Sequence, residues 1–553
     1  MREEDRAVRL KGSPSHFKRT SDSVARPEIV ASLHREELFD IIVVGAGIHG
    51  ASVARLAAGL GFKTALLDRN DYAAATSSRS SKMAHGGLRY LELFDFQQVF
   101  EGIKAREEMF EHLGNLVRPS EFLIPVPTGA WFFRIKLGIG LFLYDLLVRK
   151  RARRHRWIPR SKLNFPGFHS GRSDLMGCFL YTDGIMSDAR LVIDNVLAAR
   201  RYGATCLNYC EVTGLKIRDS QGYEITARDT KGGTELTVKA RLVINCTGPW
   251  ASTLASALGG ESRPLKFSRG SHIIFNKPWN GPSLFLPLPG KARYYFVWPH
   301  DAGTMVGTTE REVSHLELDP LPSKDEIEEI LGRVERDIPD AGLTRSNACY
   351  AFAGIRTLPV RGREASSTVL SRRHIWTHSN GVLTLLGGKY TTASWTALEG
   401  VKAAARILGT PLSVEATRDR ADLKELPGSI SQVEYQELRR SLEGHGVSGD
   451  FQTRLLSRYG KRLGDNYLEF VDASPGKLIE LETMIALDTE QVESLEDLMR
   501  RRLELEYTAS HGEEYLSIIG EVFKRMRPDI DFELEKQRYL ERMRAMHSLL
   551  DNA

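Results

Sequence analysis

The stretch that most constrains this chain begins at Phe39. Phe39-Asp40-Ile41-Ile42-Val43-Val44 is an apolar, largely β-branched run, and it stops at Gly45-Ala46-Gly47-Ile48-His49-Gly50. Such a run predicts a strand buried on both faces of a parallel sheet. Small and apolar residues at helical spacing follow over 51–60, and 63–67 reads as a second strand ending at Asp68. This is a β-α-β unit with GxGxxG at its first turn. Gly45 permits the tight turn, Gly47 lets backbone amides approach a pyrophosphate, and Gly50 lets helix and strand pack closely. Asp68 stands where a carboxylate can accept hydrogen bonds from an adenosine ribose. The prediction is a dinucleotide site, and the fingerprint alone does not separate NAD from FAD.

The rest of the chain is patterned around that unit. Arg241-Leu242-Val243-Ile244-Asn245-Cys246-Thr247-Gly248 is another buried strand entering a glycine turn. Val382 to Lys389 repeats the shape, with a helix expected over 390–407. Between them, 222–228, 235–238, 271–275 and 293–298 alternate like antiparallel strands. The fold class is therefore α/β: a Rossmann-type nucleotide domain interleaved with an antiparallel-sheet substrate domain, plus a C-terminal helical domain. The expected boundaries are a polar, mobile extension (1–38), the interleaved domains (39–409), a linker (410–429) and helices (430–553). In the last part Val492, Leu495 and Met499 share a helix face, while Glu493, Glu496, Asp497 and Arg500 lie elsewhere.

Composition narrows the function. The 76 basic and 71 acidic residues leave a net charge of only +5, which gives no nucleic-acid-binding excess. The five cysteines, Cys178, Cys206, Cys210, Cys246 and Cys349, have no zinc spacing, so reduced thiols and no metal centre are expected. No run reaches the ~18–20 apolar residues of a spanning helix; the longest, 137–148, is broken by Asp145.

Several residues can carry chemistry. Arg89, Arg356 and Lys389 each sit at the edge of a glycine-rich turn, where guanidinium forks and a lysine point charge suit a phosphate dianion. His272 lies mid-strand. It is either a hydrogen-bonded core histidine or a base for a substrate hydroxyl.

The segment Thr76-Ser77-Ser78-Arg79-Ser80-Ser81-Lys82-Met83-Ala84-His85-Gly86-Gly87-Leu88-Arg89-Tyr90-Leu91-Glu92 is dense in hydroxyls and glycines. It resembles the FAD-dependent glycerol-3-phosphate dehydrogenase family, within the D-amino-acid-oxidase-like flavoproteins. Asn245-Cys246-Thr247-Gly248-Pro249-Trp250, Arg269-Gly270-Ser271-His272-Ile273, Phe296-Val297-Trp298-Pro299, Gly354-Ile355-Arg356-Thr357-Leu358 and Gly387-Gly388-Lys389-Tyr390-Thr391-Thr392 resemble that family's motifs in order. There are departures: Thr357 replaces a usual proline, His49 a small or amide residue, and Ala393-Ser394 a frequent Tyr-Arg, while Arg269 stands where Lys is common.

The resemblance implies an FAD enzyme that oxidises sn-glycerol 3-phosphate and passes electrons to a membrane quinone. It assigns catalysis to His272 and Arg356, and substrate binding to Arg89, Tyr90, His272, Arg356, Lys389 and Thr391. Cofactor contacts fall to Gly45, Ala46, Gly47, Ile48, His49, Gly50, Asp68 and Arg69. They continue through Thr76, Ser77, Ser78, Ser81, Lys82, His85, Gly86, Gly87, Val212, Thr247, Gly248, Trp250, Gly354, Gly388 and Lys389. An oxygen-using oxidase and an amino-acid-oxidising flavoenzyme are the alternatives, and a homodimer stays open.

One further segment bears on location. Trp131 to Tyr144 is apolar and aromatic, and it leads into the basic cluster Arg149-Lys150-Arg151-Ala152-Arg153-Arg154-His155-Arg156-Trp157. Apolar residues at an acyl boundary beside cations at anionic headgroups predict peripheral docking on the cytoplasmic face of the cell membrane. A buried core helix with a solvated basic loop is the competing expectation.

Overall fold

The computed structural model describes residues 22–551, except 24, 36–37, 89–94, 147, 149, 151–152, 166, 170–172, 219–221, 262, 289–292 and 361–372. In the amino-terminal part α1 (Arg26–Arg35) leads into β1 (Phe39–Val44), α2 (Ile48–Gly59) and β2 (Thr64–Leu67). β1 lies between β2 and the strand Glu235–Asn245, parallel to both, with Ile42 opposite Ala65 and Val243. Thr205–Leu207 extends this sheet beyond β2, and Val382–Leu386 extends it beyond Glu235–Asn245, again in parallel. Both faces are buried, as the unbroken β-branched run of β1 requires. Ile41 and Val43 pack under α2 and the helices Asp188–Arg201 and Ala393–Ile407, whereas Ile42 and Val44 pack on the opposite side with α1.

A second sheet, mostly antiparallel, carries the long strands Val117–Pro127, Leu175–Met186, Leu265–Phe275 and Ala348–Pro359. Alternation along its strands serves two cores. Phe122, Ile124, Phe179 and Tyr181 face one cluster, while Leu123, Cys178 and Leu180 face another. The first cluster is covered by α3 (Phe96–His112) and α4 (Trp131–Asp145). The second is completed by residues from Ile479 to Leu550.

That second core changes how the C-terminal region is understood. Residues from Leu442 to Ile485 form a cluster of their own, but the later helices belong to the antiparallel sheet's core. Charged residues set apart from the apolar face of Val492, Leu495 and Met499 are buried there as well, among them Glu493, Asp497 and Arg500. The stretch 410–429, expected as a linker, contains the helix Val414–Ala421 and anchors Leu423 and Leu426 in the core beneath α2.

Part of the expected mobile extension is docked. α1 buries Ile29 and Leu33 beside Phe39, and Arg26 donates to Asp229 and Asn208. Residues 1–21 lie outside the described residues. The five cysteines are buried and form no disulfide with one another, and no described cluster of three or more His, Cys, Asp or Glu side chains could hold a metal.

Candidate active site

A cleft of about 500 Å³ runs from the carboxyl ends of the parallel strands to the edge of the second sheet. Such strand ends are where open α/β sheets bind ligands. The first turn supplies Gly45, Gly47, Ile48 and His49 to the lining. Gly45 has φ +98°, and a Cβ there would sit 2.7 Å from the Cys246 carbonyl oxygen. A Cβ on Gly50 would meet the Gly45 oxygen at 1.8 Å, so the glycine is what lets helix and turn close. Gly47 caps α2 without a side-chain acceptor, which presents the positive end of the helix to the cleft. The Ile48 amide donates to Ser77 Oγ at 3.0 Å, tying the hydroxyl-rich block to this turn.

Asp68 and Arg69 continue the wall. Asp68 accepts from the amides of Ala46 at 2.6 Å and Asn70 at 2.9 Å. Desolvation still pushes its carboxyl up to about 6, with the nearby Asp71 adding to the rise. The Arg69 guanidinium lies 4.3 Å over the Trp250 ring. Thr76, Ser77, Ser81, His85, Gly87, Val212, Thr247, Gly248, Gly354, Gly388 and Thr391 also line the cleft.

At the second-sheet end stand His272 and Arg356, and Lys389 lines the cleft from the turn after Val382–Leu386, next to Gly388 and its neighbour His49. His272 projects from Leu265–Phe275 and is 1% exposed. Its ring stacks on Phe352 at 5.0 Å, and Nε2 lies 3.0 Å from Ser81 Oγ. Nδ1 is buried with no hydrogen-bond partner among the described residues. Burial, then the charges of Arg356 and Lys82, push this imidazole down to about 3, so it is neutral near pH 7. Arg356 Nη2 donates to Thr308 Oγ1 at 2.7 Å. Two glycines make room for this pair. A Cβ on Gly270 would lie 2.3 Å from Arg356 Nη2, and one on Gly307 would lie 2.2 Å from His272 Cδ2. The sequence singled out neither for this role, although a glycine inside a strand is a signal of close approach.

Some expected contacts lie behind the wall. Lys82 is buried and turned away, its Nζ 2.6 Å from Asp188 Oδ1 and 4.8 Å over the Tyr507 ring. A buried ammonium demands such a partner, and Asp188 raises its pKa further above the ordinary value. Ser78 is fully buried outside the lining. Gly86 packs against Tyr144 and donates its amide to Asp183. Ala46 and Gly50 shape the turn without lining the cleft, and Ala46 contributes its amide to Asp68. Arg89 and Tyr90 lie outside the described residues.

The sequence also missed part of the lining. Met83, Leu88, Tyr181, Phe285, Tyr294 and Phe296 make an apolar, aromatic wall at the far end, and Arg79 lines the cleft near Ser80. Strand alternation marked such aromatics only as core. The site has an amide-lined turn, a ribose acceptor and a long cleft ending in aromatics and cations, which fits a flavin dinucleotide.

Comparison with known proteins agrees. Residues 40–394 match the family described as FAD dependent oxidoreductase. A protein named glycerol-3-phosphate dehydrogenase 2, from Mycobacterium bovis, is 30% identical over 92% of this chain and 88% of its own length. D-erythritol 1-phosphate dehydrogenase from Brucella abortus is 30% identical over 84% of this chain and 94% of its own. The fold matches the FAD-complexed glycerol-3-phosphate dehydrogenase from Bacillus halodurans with a TM-score of 0.73 and 21% identity, covering 95% of this chain and 97% of that one. The chain belongs to the FAD-dependent oxidoreductase family, and FAD is its cofactor.

Proposed function

We propose that this protein oxidises sn-glycerol 3-phosphate to dihydroxyacetone phosphate and passes the electrons to a quinone in the membrane on which it docks. The observation that carries this is a neutral, buried His272 beside Arg356 in the FAD cleft, with Lys389 lining the same cleft. Arg356 and Lys389 bind the phosphate dianion, because two fixed cations in a partly dry pocket offset the loss of its hydration. His272 receives the proton of the middle hydroxyl as that carbon loses its hydrogen, and the Ser81 hydroxyl holds the ring in orientation. FAD, when bound, supplies the hydride acceptor. The names of the two curated relatives share a phosphorylated polyol, which favours phosphate over carboxylate as the group these cations hold.

Membrane docking rests on α4. Phe132, Ile135, Ile139, Phe142 and Leu146 fall at helical spacing and are 81%, 60%, 58%, 58% and 64% exposed. Leu141 and Tyr144, on the other side, are buried against the second sheet. No described helix is long and apolar enough to cross a membrane. A quinone dissolves in lipid, so an enzyme that reduces it works from that surface.

The test is anaerobic bleaching of the purified yellow protein. Glycerol 3-phosphate should reduce the flavin within seconds, glycerol far more slowly, and an amino acid not at all. Reduction by an amino acid alone would replace this reading with that of an amino-acid-oxidising flavoenzyme.

A further inference from the structure

The C-terminal region meets the cofactor segment at one unusual turn. Asp497–Arg502 is a π-helical turn carrying three consecutive arginines, Arg500, Arg501 and Arg502, all at most 2% exposed. π-turns of this kind recur at functional sites. Guanidiniums so buried must be paired. Arg501 Nε donates to Asp71 Oδ2 at 2.6 Å, and Arg502 binds both Asp71 oxygens, at 2.6 and 2.8 Å. Arg500 Nη1 lies 3.2 Å from Asp319, whose carboxylate also takes Arg79.

Asp71 and Arg79 are the two ends of one segment. It begins just after the cleft-lining Asp68 and Arg69, and residues 73–77 within it line the cleft themselves. Asp71 is 1% and Arg79 4% exposed, so neither end is held by solvent.

We propose that Arg500, Arg501 and Arg502 are positioning residues for FAD: a single turn of the C-terminal region holds Asp71 directly and Arg79 through the shared Asp319 carboxylate, at the two ends of the segment that wraps the cofactor. Cofactor retention and docking of the C-terminal helices are then one coupled equilibrium, and the coupling is reciprocal. This gives the C-terminal helices a task, and it rests on the family's cofactor rather than on the substrate.

The experiment is hydrogen exchange on the full-length chain, FAD-loaded and FAD-stripped, together with FAD dissociation constants. FAD should slow exchange not only at 45–50 and 68–79 but also, by about tenfold or more, across 490–507. Asp71→Asn leaves two buried guanidiniums short of a partner and can fail to fold, so Asp319→Asn, whose carboxylate is 32% exposed, carries the mutational arm. It should raise the FAD dissociation constant about tenfold and shrink the FAD-dependent protection at 490–507, while protection at 45–50 persists. Unchanged exchange at 490–507 on adding FAD to the wild type, or wild-type FAD affinity in Asp319→Asn, overturns the proposal.

Discussion

At Gly270 and Gly307 the missing side chains decide where the reactive groups lie. Arg356 spreads over the first and His272 over the second. Arg356→Ala or Lys389→Ala should therefore cripple oxidation of glycerol 3-phosphate while FAD content stays near normal. Losing one charge-assisted contact to a desolvated phosphate costs roughly 2–4 kcal/mol, or about thirty- to a thousandfold in kcat/KM. Steady-state assays with glycerol as the control substrate check this, since glycerol has no phosphate to lose. Equal losses on both substrates would assign the two residues to the flavin or the fold. Residue identity was legible wherever a motif joined chemistry to a turn, as at Gly45, Asp68 and Lys389. It was not legible at Lys82, because nothing in Ser80-Ser81-Lys82-Met83 says that Asp188, 106 residues on, draws the ammonium away from the cleft.

At the scale of the element, α4 is the unusual helix. Its composition permitted either a core helix or a membrane-facing one, and periodicity alone does not choose between them because both faces are apolar. The structure uses Leu141 and Tyr144 for the core, and among the described residues the stripe from Phe132 to Leu146 is exposed. Part of the basic cluster is engaged: Arg153 reaches Glu107 at 3.2 Å and Arg156 reaches Glu121 at 2.9 Å. Apolar insertion should thus outweigh charge in holding the protein to lipid. Replacing Phe132, Ile135 and Ile139 together by Ser removes three exposed side chains, each contributing roughly 1.5–3 kcal/mol if fully buried. Sedimentation with anionic liposomes should fall by at least about a hundredfold in partition constant. Flavin bleaching by glycerol 3-phosphate should be unaffected. A triple variant that pellets like the wild type would show that α4 is not the anchor.

Across the whole molecule, three desolvated histidines contribute to the response to acid: His272, which is buried, and His49 and His300, which are half-buried. Burial pushes His272 down to about 3, and His49 and His300 to about 4, against an ordinary value of 6.5. Between pH 6.5 and 4 the unfolded chain therefore binds more protons than the folded one at these positions. These three histidines thus lower stability as pH falls through that window, by up to about 1.4 kcal/mol per pH unit for each group, while Asp68, Asp194 and Asp497, pushed up to about 6 by burial, act in the opposite direction. His300 is the one to test, since it lies outside the cleft and its Nδ1 accepts from the Ala302 amide at 3.1 Å, a bond an asparagine oxygen can replace. The melting temperature of FAD-loaded His300→Asn should decline less steeply than wild type from pH 7 to 5. Parallel declines would mean that His300 takes up its proton without unfolding.

Whole-molecule organisation was the least legible scale. The β-α-β unit around Phe39–Val44 is written locally, in residues that touch one another. The helices after 430 read as a separate body because their partners in Leu265–Phe275 and Ala348–Pro359 lie more than a hundred residues away. Charges such as Arg500 and Asp497 look solvated in any short window, and only the assembled chain pairs them.

The docked amino-terminal segment has a consequence for how the chain is made. Ser23 bonds to Asp488 and Arg26 to Glu493, partners 465 and 467 residues downstream. During synthesis the ribosome delivers the first of these groups long before the second exists. Ile29, Leu33 and the Arg26–Asp229 pair can dock once the first sheet is made, but the two bonds to Asp488 and Glu493 must wait through nearly the whole of translation. A nascent chain arrested before residue 488 holds every glycine of its first turn, yet it has neither the arginines that hold Asp71 nor Asp488 and Glu493, which complete the hold on Ser23 and Arg26. Its final closure is an event of release from the ribosome.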